Sequence, residues 1–338
     1  MTKTAATGAL LGLALGDALG FPTEFNDVPS ILAKCGPWRE MELPGPVAYI
    51  TDDTQMTLAV ARALRTGMGR GPLGPKRFER PLREEFVDWF HSPQNNRAPG
   101  RTCLVACQRL DGDRLWQDAS QIHSKGCGAN MRVAPLGLVP ELTDEQRSGA
   151  AQLQAALTHG HPTGLAASDL TARAVHLLAR GAEPTGLVGQ LRSYALDNRT
   201  RYREDWLGDL WRRSQDPSPE HFMARGWDDC LAVLERLEAA LRVANPEVDP
   251  CLATGEGWIA EEALATGLLC FLLFVDEPLL ALRRAACTSG DSDSIACLAG
   301  AFAGAYLGSD AWPAAWVERV EHRDELLGFG AEWNGAGR

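Results

Sequence analysis

Two stripes of glycine restrict what this chain can fold into more than any other feature. Gly8, Gly12, Gly16 and Gly20 recur at every fourth residue near the start, and Gly300, Gly304 and Gly308 repeat the device near the end. A spacing of four puts each set on one face of a helix. Glycine costs a helix roughly 1 kcal/mol relative to alanine, so a stripe is expected where a second backbone comes close. Both stripes are therefore expected on central helices of an all-α core, packed against each other; the alternative is two unrelated small-residue helices.

The remaining pattern is helical as well. Apolar residues recur at helical spacing over residues 56–64, 102–110, 145–157, 164–179, 184–241 and 258–274. Residues 66–77, rich in Gly and Pro, are expected to form a loop, Phe86 to Phe90 a short amphipathic helix, and residues 91–100 a second loop. Trp206, Trp211 and Trp227 are expected to pack satellite surfaces. Nowhere do several alternating apolar and polar runs occur together, which disfavours a sheet. With neither linker nor short repeat, the chain is expected to be one compact domain over residues 1–330, followed by a short tail, residues 331–338.

Charge and cysteine usage exclude several classes. The 338 residues carry 33 Lys and Arg against 44 Asp and Glu, a net charge of −11, and contain no basic run. General nucleic-acid binding is not expected. Nine scattered cysteines, none in a CxxC pair, argue against a disulfide framework or a zinc ribbon and fit a reducing cytoplasm. Lys3 and the apolar residues 9–15 superficially resemble a secretory signal, but Asp17 interrupts the run and no cleavage site follows. No stretch reaches the ~18 uncharged apolar residues of a membrane span, so no membrane partner is expected.

Two acidic clusters carry the chemistry. Thr51-Asp52-Asp53-Thr54 follows a short apolar run; Thr51 suits an N-cap, and both aspartates then fall in the first helical turn, where the macrodipole tolerates negative charge. Asp291-Ser292-Asp293-Ser294 opens another helix, extending to Leu307. Either cluster alone can simply cap its own helix. If the two converge, four carboxylates share one pocket and their repulsion demands compensation, which two divalent cations would supply. Hard cations such as Mg²⁺, Mn²⁺ and Ca²⁺ prefer such oxygen ligands.

Three weaker features accompany the clusters. Glu24, between Phe21-Pro22-Thr23 and Phe25, is a candidate fifth carboxylate on a loop. Gly126-Cys127-Gly128 precedes a helix-compatible run and could turn N–H groups toward an anion, although it lacks the strand and third glycine of a dinucleotide site. His159 and His161 form an HxH pair with no third nitrogen or sulfur ligand nearby, a pattern better suited to lining a pocket than to binding metal.

Taken in order, Gly12 to Gly20 with Glu24, Tyr49 to Met56, Asn130 to Pro135, the His159/His161 segment and Gly290 to Ser294 resemble the ADP-ribosylglycohydrolase family. That family includes dinitrogenase-reductase-activating glycohydrolases and ADP-ribosyl-acceptor hydrolases, and the resemblance covers essentially the whole chain. It implies an all-α single domain with two Mg²⁺ or Mn²⁺ ions in a central cleft, hydrolysing the bond between ADP-ribose and an acceptor such as an ADP-ribosylated protein. Thr51, Asp52, Asp53, Asp291, Asp293 and Ser294 are the metal ligands it implies. It places Glu24 beside the metals, Gly126, Cys127, Gly128, Asn130 and Met131 around the phosphates and ribose, and His159 in the pocket lining. Ser294 stands where the family often has Thr, and Ser289 where it often has a second glycine.

Glycosidic cleavage passes through an oxocarbenium-like state normally served by a carboxylate pair. Two metals offer a related solution, in which one ion holds the ribose hydroxyls while a shared, acidified water is aimed at the anomeric carbon. Glu24, Asp53 and Asp293 are the expected catalytic acids and bases. Two rival readings are weaker. Asp291-Ser292-Asp293-Ser294 could be the nucleophile motif of a haloacid-dehalogenase phosphatase, but a helix-forming stretch precedes it where that motif needs a strand. A non-catalytic ADP-ribose-binding or structural relative should have lost ligands, and none is lost here.

Overall fold

The computed structural model describes residues 4–69 and 71–335. Helices connected by turns and short 3₁₀ segments account for its regular structure; among the described residues the only β-type pairings are isolated bridges, such as Gln121 with His159 and Gly126 with Ile259. The expected all-α domain is what forms.

The two glycine helices, Ala5–Gly20 and Ser292–Leu307, lie against each other at the centre. Their glycines alternate as expected of backbones in contact: a Cβ at Gly300 would overlap the carbonyl of Gly12, and one at Gly304 the carbonyl of Gly8. Nearly every residue of both helices is buried, so neither has an amphipathic stripe. Ala5–Thr23 is by length and composition apolar enough to cross a membrane, which differs from expectation, yet 83% of its apolar window is buried inside the protein. It is the core helix of a globular domain. Lys3, the basic residue of the signal-like pattern, lies outside the described residues.

Several expected boundaries shift. The Asp52–Met68 and Pro75–His91 helices occupy both ends of the segment expected as a loop. The short helix expected around Phe86 is the last part of that second helix, which continues through Pro81; loss of one ladder bond there is tolerated because Phe78, Leu82, Phe86 and Trp89 are all buried. Residues 184–241 break into separate helices, Leu187–Asn198 and Pro219–Val243, with a short helix, Glu204–Leu207, and a 3₁₀ segment, Leu210–Arg213, between them. Trp227 is a core residue at 0% exposure rather than a satellite, because its helix packs on the Pro162–Ala179 and Ala260–Leu273 helices. Trp258 lies before the apolar Ala260–Leu273 helix, not inside it. The Arg323–Gly335 helix runs through the boundary expected at residue 330, and Asn334 ties it to the first helix by accepting from Ala6 N–H (2.9 Å) and donating to Thr7 Oγ1 (2.7 Å).

Candidate metal and substrate site

The first acidic cluster is positioned by its own helix start. Thr51 is the N-cap of Asp52–Met68 and accepts from the Asp53 N–H at 3.3 Å, so Asp52 and Asp53 leave the first turn side by side. A buried carboxylate that sequence reasoning passed over holds this turn in place. Asp17, in the last turn of the first glycine helix, accepts from Thr51 N–H (3.0 Å), Thr51 Oγ1 (2.8 Å), Thr54 N–H (3.1 Å) and Thr54 Oγ1 (2.5 Å). The available signal was its position in an otherwise apolar helix, where a charge is retained only with full hydrogen-bond partnership.

The second cluster is turned by the Ser292–Leu307 helix, one turn earlier than the apolar pattern alone marks. Ser292 points back to the first glycine helix, donating to the Gly20 carbonyl and meeting Thr23 Oγ1, each at 3.0 Å. Asp291, Asp293 and Ser294 are thereby left facing the opposite way, onto a cavity of about 320 Å³ that Asp52 and Asp53 also line. Gly290 is required just before them, since a Cβ there would overlap the backbone of Glu256, whose carbonyl accepts from Asp291 N–H at 2.8 Å. Ser289, the departure from the family pattern, instead bonds its hydroxyl to Asp249 at 2.5 Å and leaves this turn intact.

Glu24 completes the acidic wall: one oxygen each from Glu24, Asp291 and Asp293 lies within 4.8 Å of the other two. None of Asp17, Glu24, Asp52, Asp53, Asp291 or Asp293 forms a salt bridge among the described residues. Burial, followed by repulsion from Asp293, pushes Asp17 up to about 7 and Glu24 up to about 9; Asp52 is pushed up to about 8 chiefly by burial. Burial and the same repulsion raise Asp53 and Asp291, while burial dominates for Asp293. Asp53 Oδ1 is buried without a hydrogen-bond partner. Hard oxygen donors crowded together with no cationic side chain in a salt bridge to them among the described residues, one of them orphaned, fit divalent cations.

The opposite wall holds the expected substrate residues. Gly126, Cys127, Gly128, Met131 and His159 all border the cavity. Cys127 N–H is anchored to the Trp258 carbonyl (3.0 Å), and burial pushes its thiol well up, so it is a neutral wall and no nucleophile. Two expected residues point elsewhere. Thr51 directs its hydroxyl to Asp17, and Asn130 donates to the Ala260 carbonyl (3.0 Å) from beneath the loop, so each shapes the site from behind. The HxH pair divides: His159 faces the cavity, whereas His161 caps the Pro162–Ala179 helix and meets Arg225 at 3.0 Å.

Residues that no motif marked close the mouth. Ala98 to Cys103 form one side, fastened by the Gly100 N–H bond to Asp52 Oδ2 at 3.1 Å. Phe25, 72% exposed with φ +63°, stacks parallel on Trp258 with ring centroids 5.3 Å apart.

Comparison with known proteins identifies the family and the fold. The chain is 27% identical to ADP-ribosylhydrolase ARH3 of Mus musculus, with 94% of this chain and 88% of that protein covered. It is 26% identical to ADP-ribosyl-(dinitrogen reductase) glycohydrolase of Rhodospirillum rubrum, covering 95% and 91%. An ADP-ribosylglycohydrolase-related protein complex superposes with a TM-score of 0.66 at 22% identity, over 99% of each chain, which establishes the shared fold. The pattern characteristic of ADP-ribosylglycohydrolases matches residues 2–336, and the chain belongs to the ADP-ribosylglycohydrolase family.

Proposed function

We propose that this protein is a metal-dependent hydrolase that cleaves the glycosidic bond between ADP-ribose and its acceptor, reversing ADP-ribosylation. The observation that carries the reading is the meeting of acids from opposite ends of the chain, Asp52 and Asp53 with Asp291 and Asp293, in one cavity that also receives Glu24. Asp52, Asp53, Asp291, Asp293 and Ser294 are the side chains that would hold two divalent cations, Mg²⁺ or Mn²⁺, and Thr51 would hold Asp53 in register. When bound, such ions neutralise the carboxylates, anchor ribose hydroxyls and acidify a water.

The chain's own groups do the rest. Glu24 sits on a loop, half-buried, and before cations bind, burial first and its acidic neighbours second raise its carboxyl; it would give a proton to the departing acceptor. Asp53 and Asp293, which line the same cavity, would accept the proton of an attacking water. Gly126 and Gly128 keep the facing loop free of side chains, so a diphosphate can approach its backbone. Nine free thiols and no disulfide support a reducing, cytoplasmic setting.

The test is incubation with a panel of ADP-ribosylated acceptors, linked through arginine, serine, a nucleic-acid base or an acetyl ester, with Mg²⁺ present. Free ADP-ribose is the expected product, lost on chelation; no release from any acceptor overturns the reading. A non-catalytic relative would bind ADP-ribose without releasing it from any of them.

Metal binding also has a thermal signature. A ligand at a hundred times its dissociation constant stabilises the native state by about 2.7 kcal/mol per site. Adding Mg²⁺ or Mn²⁺ to chelated protein is expected to raise the melting temperature by roughly 5 °C or more. An unchanged melting temperature counts against the metal centre.

A further inference from the structure

His159 meets the cavity, but residues outside the cavity decide which of its ring nitrogens carries the proton. Arg132 is fully buried, with its guanidinium 4.3 Å over the Phe86 ring. It donates from Nε to Gln154 Oε1 (2.8 Å), and from Nη2 to the Gln154 carbonyl (2.8 Å) and to Thr158 Oγ1 (2.7 Å). Its Nη1 faces only sulfur, Met56 Sδ at 3.3 Å and Cys103 Sγ at 3.6 Å, and no carboxylate hydrogen-bonds to this cation among the described residues. A buried arginine without an acidic partner is costly to keep, so its hydrogen bonds invite a functional explanation.

The proton count follows from chemistry. A guanidinium only donates, so Thr158 Oγ1 accepts from Arg132. The hydroxyl has one proton to give, with His159 Nδ1 at 2.8 Å and the Ala155 carbonyl at 3.4 Å. The alternative, in which Thr158 Oγ1 accepts from Nδ1–H on its second lone pair, leaves the hydroxyl proton only the 3.4 Å Ala155 contact, so donation to Nδ1 at 2.8 Å is the better-satisfied arrangement. Nδ1 is then an acceptor, and the single proton of the neutral ring sits on Nε2. Burial and the Arg132 charge hold the imidazole down to about 3, so the ring stays neutral across the physiological range. Nε2 has no hydrogen-bond partner among the described residues, and a Cβ at Gly126 or Gly128 would lie 3.3 Å from it. The glycines leave open the space into which that N–H points.

We propose that Arg132 and Thr158 are positioning residues that lock His159 in the Nε2–H tautomer, giving the cavity a directed, neutral donor for an anionic oxygen of the ligand. The opposite tautomer would present a lone pair to the same oxygen and repel it. The ligand's identity, the diphosphate of ADP-ribose, rests on the function proposed above, whereas the tautomer rests on the hydrogen bonds alone.

The experiment separates the two. In ¹⁵N-labelled protein, with the His159 signals assigned through their loss in His159→Gln, Nε2 is expected at the protonated-nitrogen shift and Nδ1 at the unprotonated one, without titration between pH 5 and 8. Thr158→Val, which keeps the shape and removes the hydroxyl, is expected to mix the tautomers and to weaken ADP-ribose binding roughly tenfold. Thr158→Ser is expected to restore both, and it is the return of the ring pattern along with binding that a merely structural role would not require. Arg132→Met is expected to act as Thr158→Val does where it folds. An Nδ1–H ring in the wild type, or an unaltered ring pattern in Thr158→Val, overturns the relay whatever binds. A correct tautomer in a protein that does not bind ADP-ribose keeps the relay and overturns the ligand.

Discussion

Asp52→Ala combined with Asp293→Ala is expected to abolish release of ADP-ribose, with a fall of at least about 10³-fold, since deleting even one preorganised electrostatic group typically costs ~10²–10³ in rate. One residue comes from each acidic cluster, and both border the same cavity. The variant is also expected to lose the melting-temperature rise on adding Mg²⁺ while keeping its helical circular dichroism. The fold should survive because these carboxylates are not paired with cationic side chains, so their removal relieves burial of like charges and breaks no salt bridge. Near wild-type hydrolysis by this variant would sink the metal-centred scheme. Lost activity with an intact metal response would move the metal-binding role elsewhere.

Gly300→Ala and Gly189→Ala are expected to shift stability in opposite directions. At Gly300 a Cβ would overlap the Gly12 carbonyl, so the two central helices must separate; overpacking of this kind typically costs about 1–3 kcal/mol and here falls on backbone, which cannot rotate away. Gly189 sits inside the Leu187–Asn198 helix, and a Cβ added there would meet nothing within 4 Å. Alanine at that position is expected to stabilise by up to about 1 kcal/mol through helix propensity. Thermal melting of the two variants beside wild type is the measurement, and equal shifts would refute the close-packing account. Gly20→Ala has an added consequence, because its Cβ would lie 2.5 Å from the Asp293 Cα and would displace a candidate ligand along with the helix. Activity should therefore fall further in Gly20→Ala than in Gly300→Ala for a similar loss of stability.

Local rules make much of this molecule legible from its residues. The Thr51 cap, the acidic first turns and the paired glycine helices depend on spacing within a few residues, and they appear as expected. Boundaries failed where burial outweighed local preference: the Pro75–His91 helix runs through Pro81 because its apolar face is covered, and Trp227 is central because two other helices pack over it.

By itself the sequence determined the helical class, the close approach implied by its glycines and the oxygen-rich chemistry of its two acidic segments, because spacing and residue type are carried along the chain. Only the tertiary structure decided that Asp17 braces the first segment, that Phe25 meets Trp258 and that a buried Arg132 reaches Thr158 beside His159. Those relations depend on distances between remote parts of the backbone, and no periodicity encodes such distances until the core has packed.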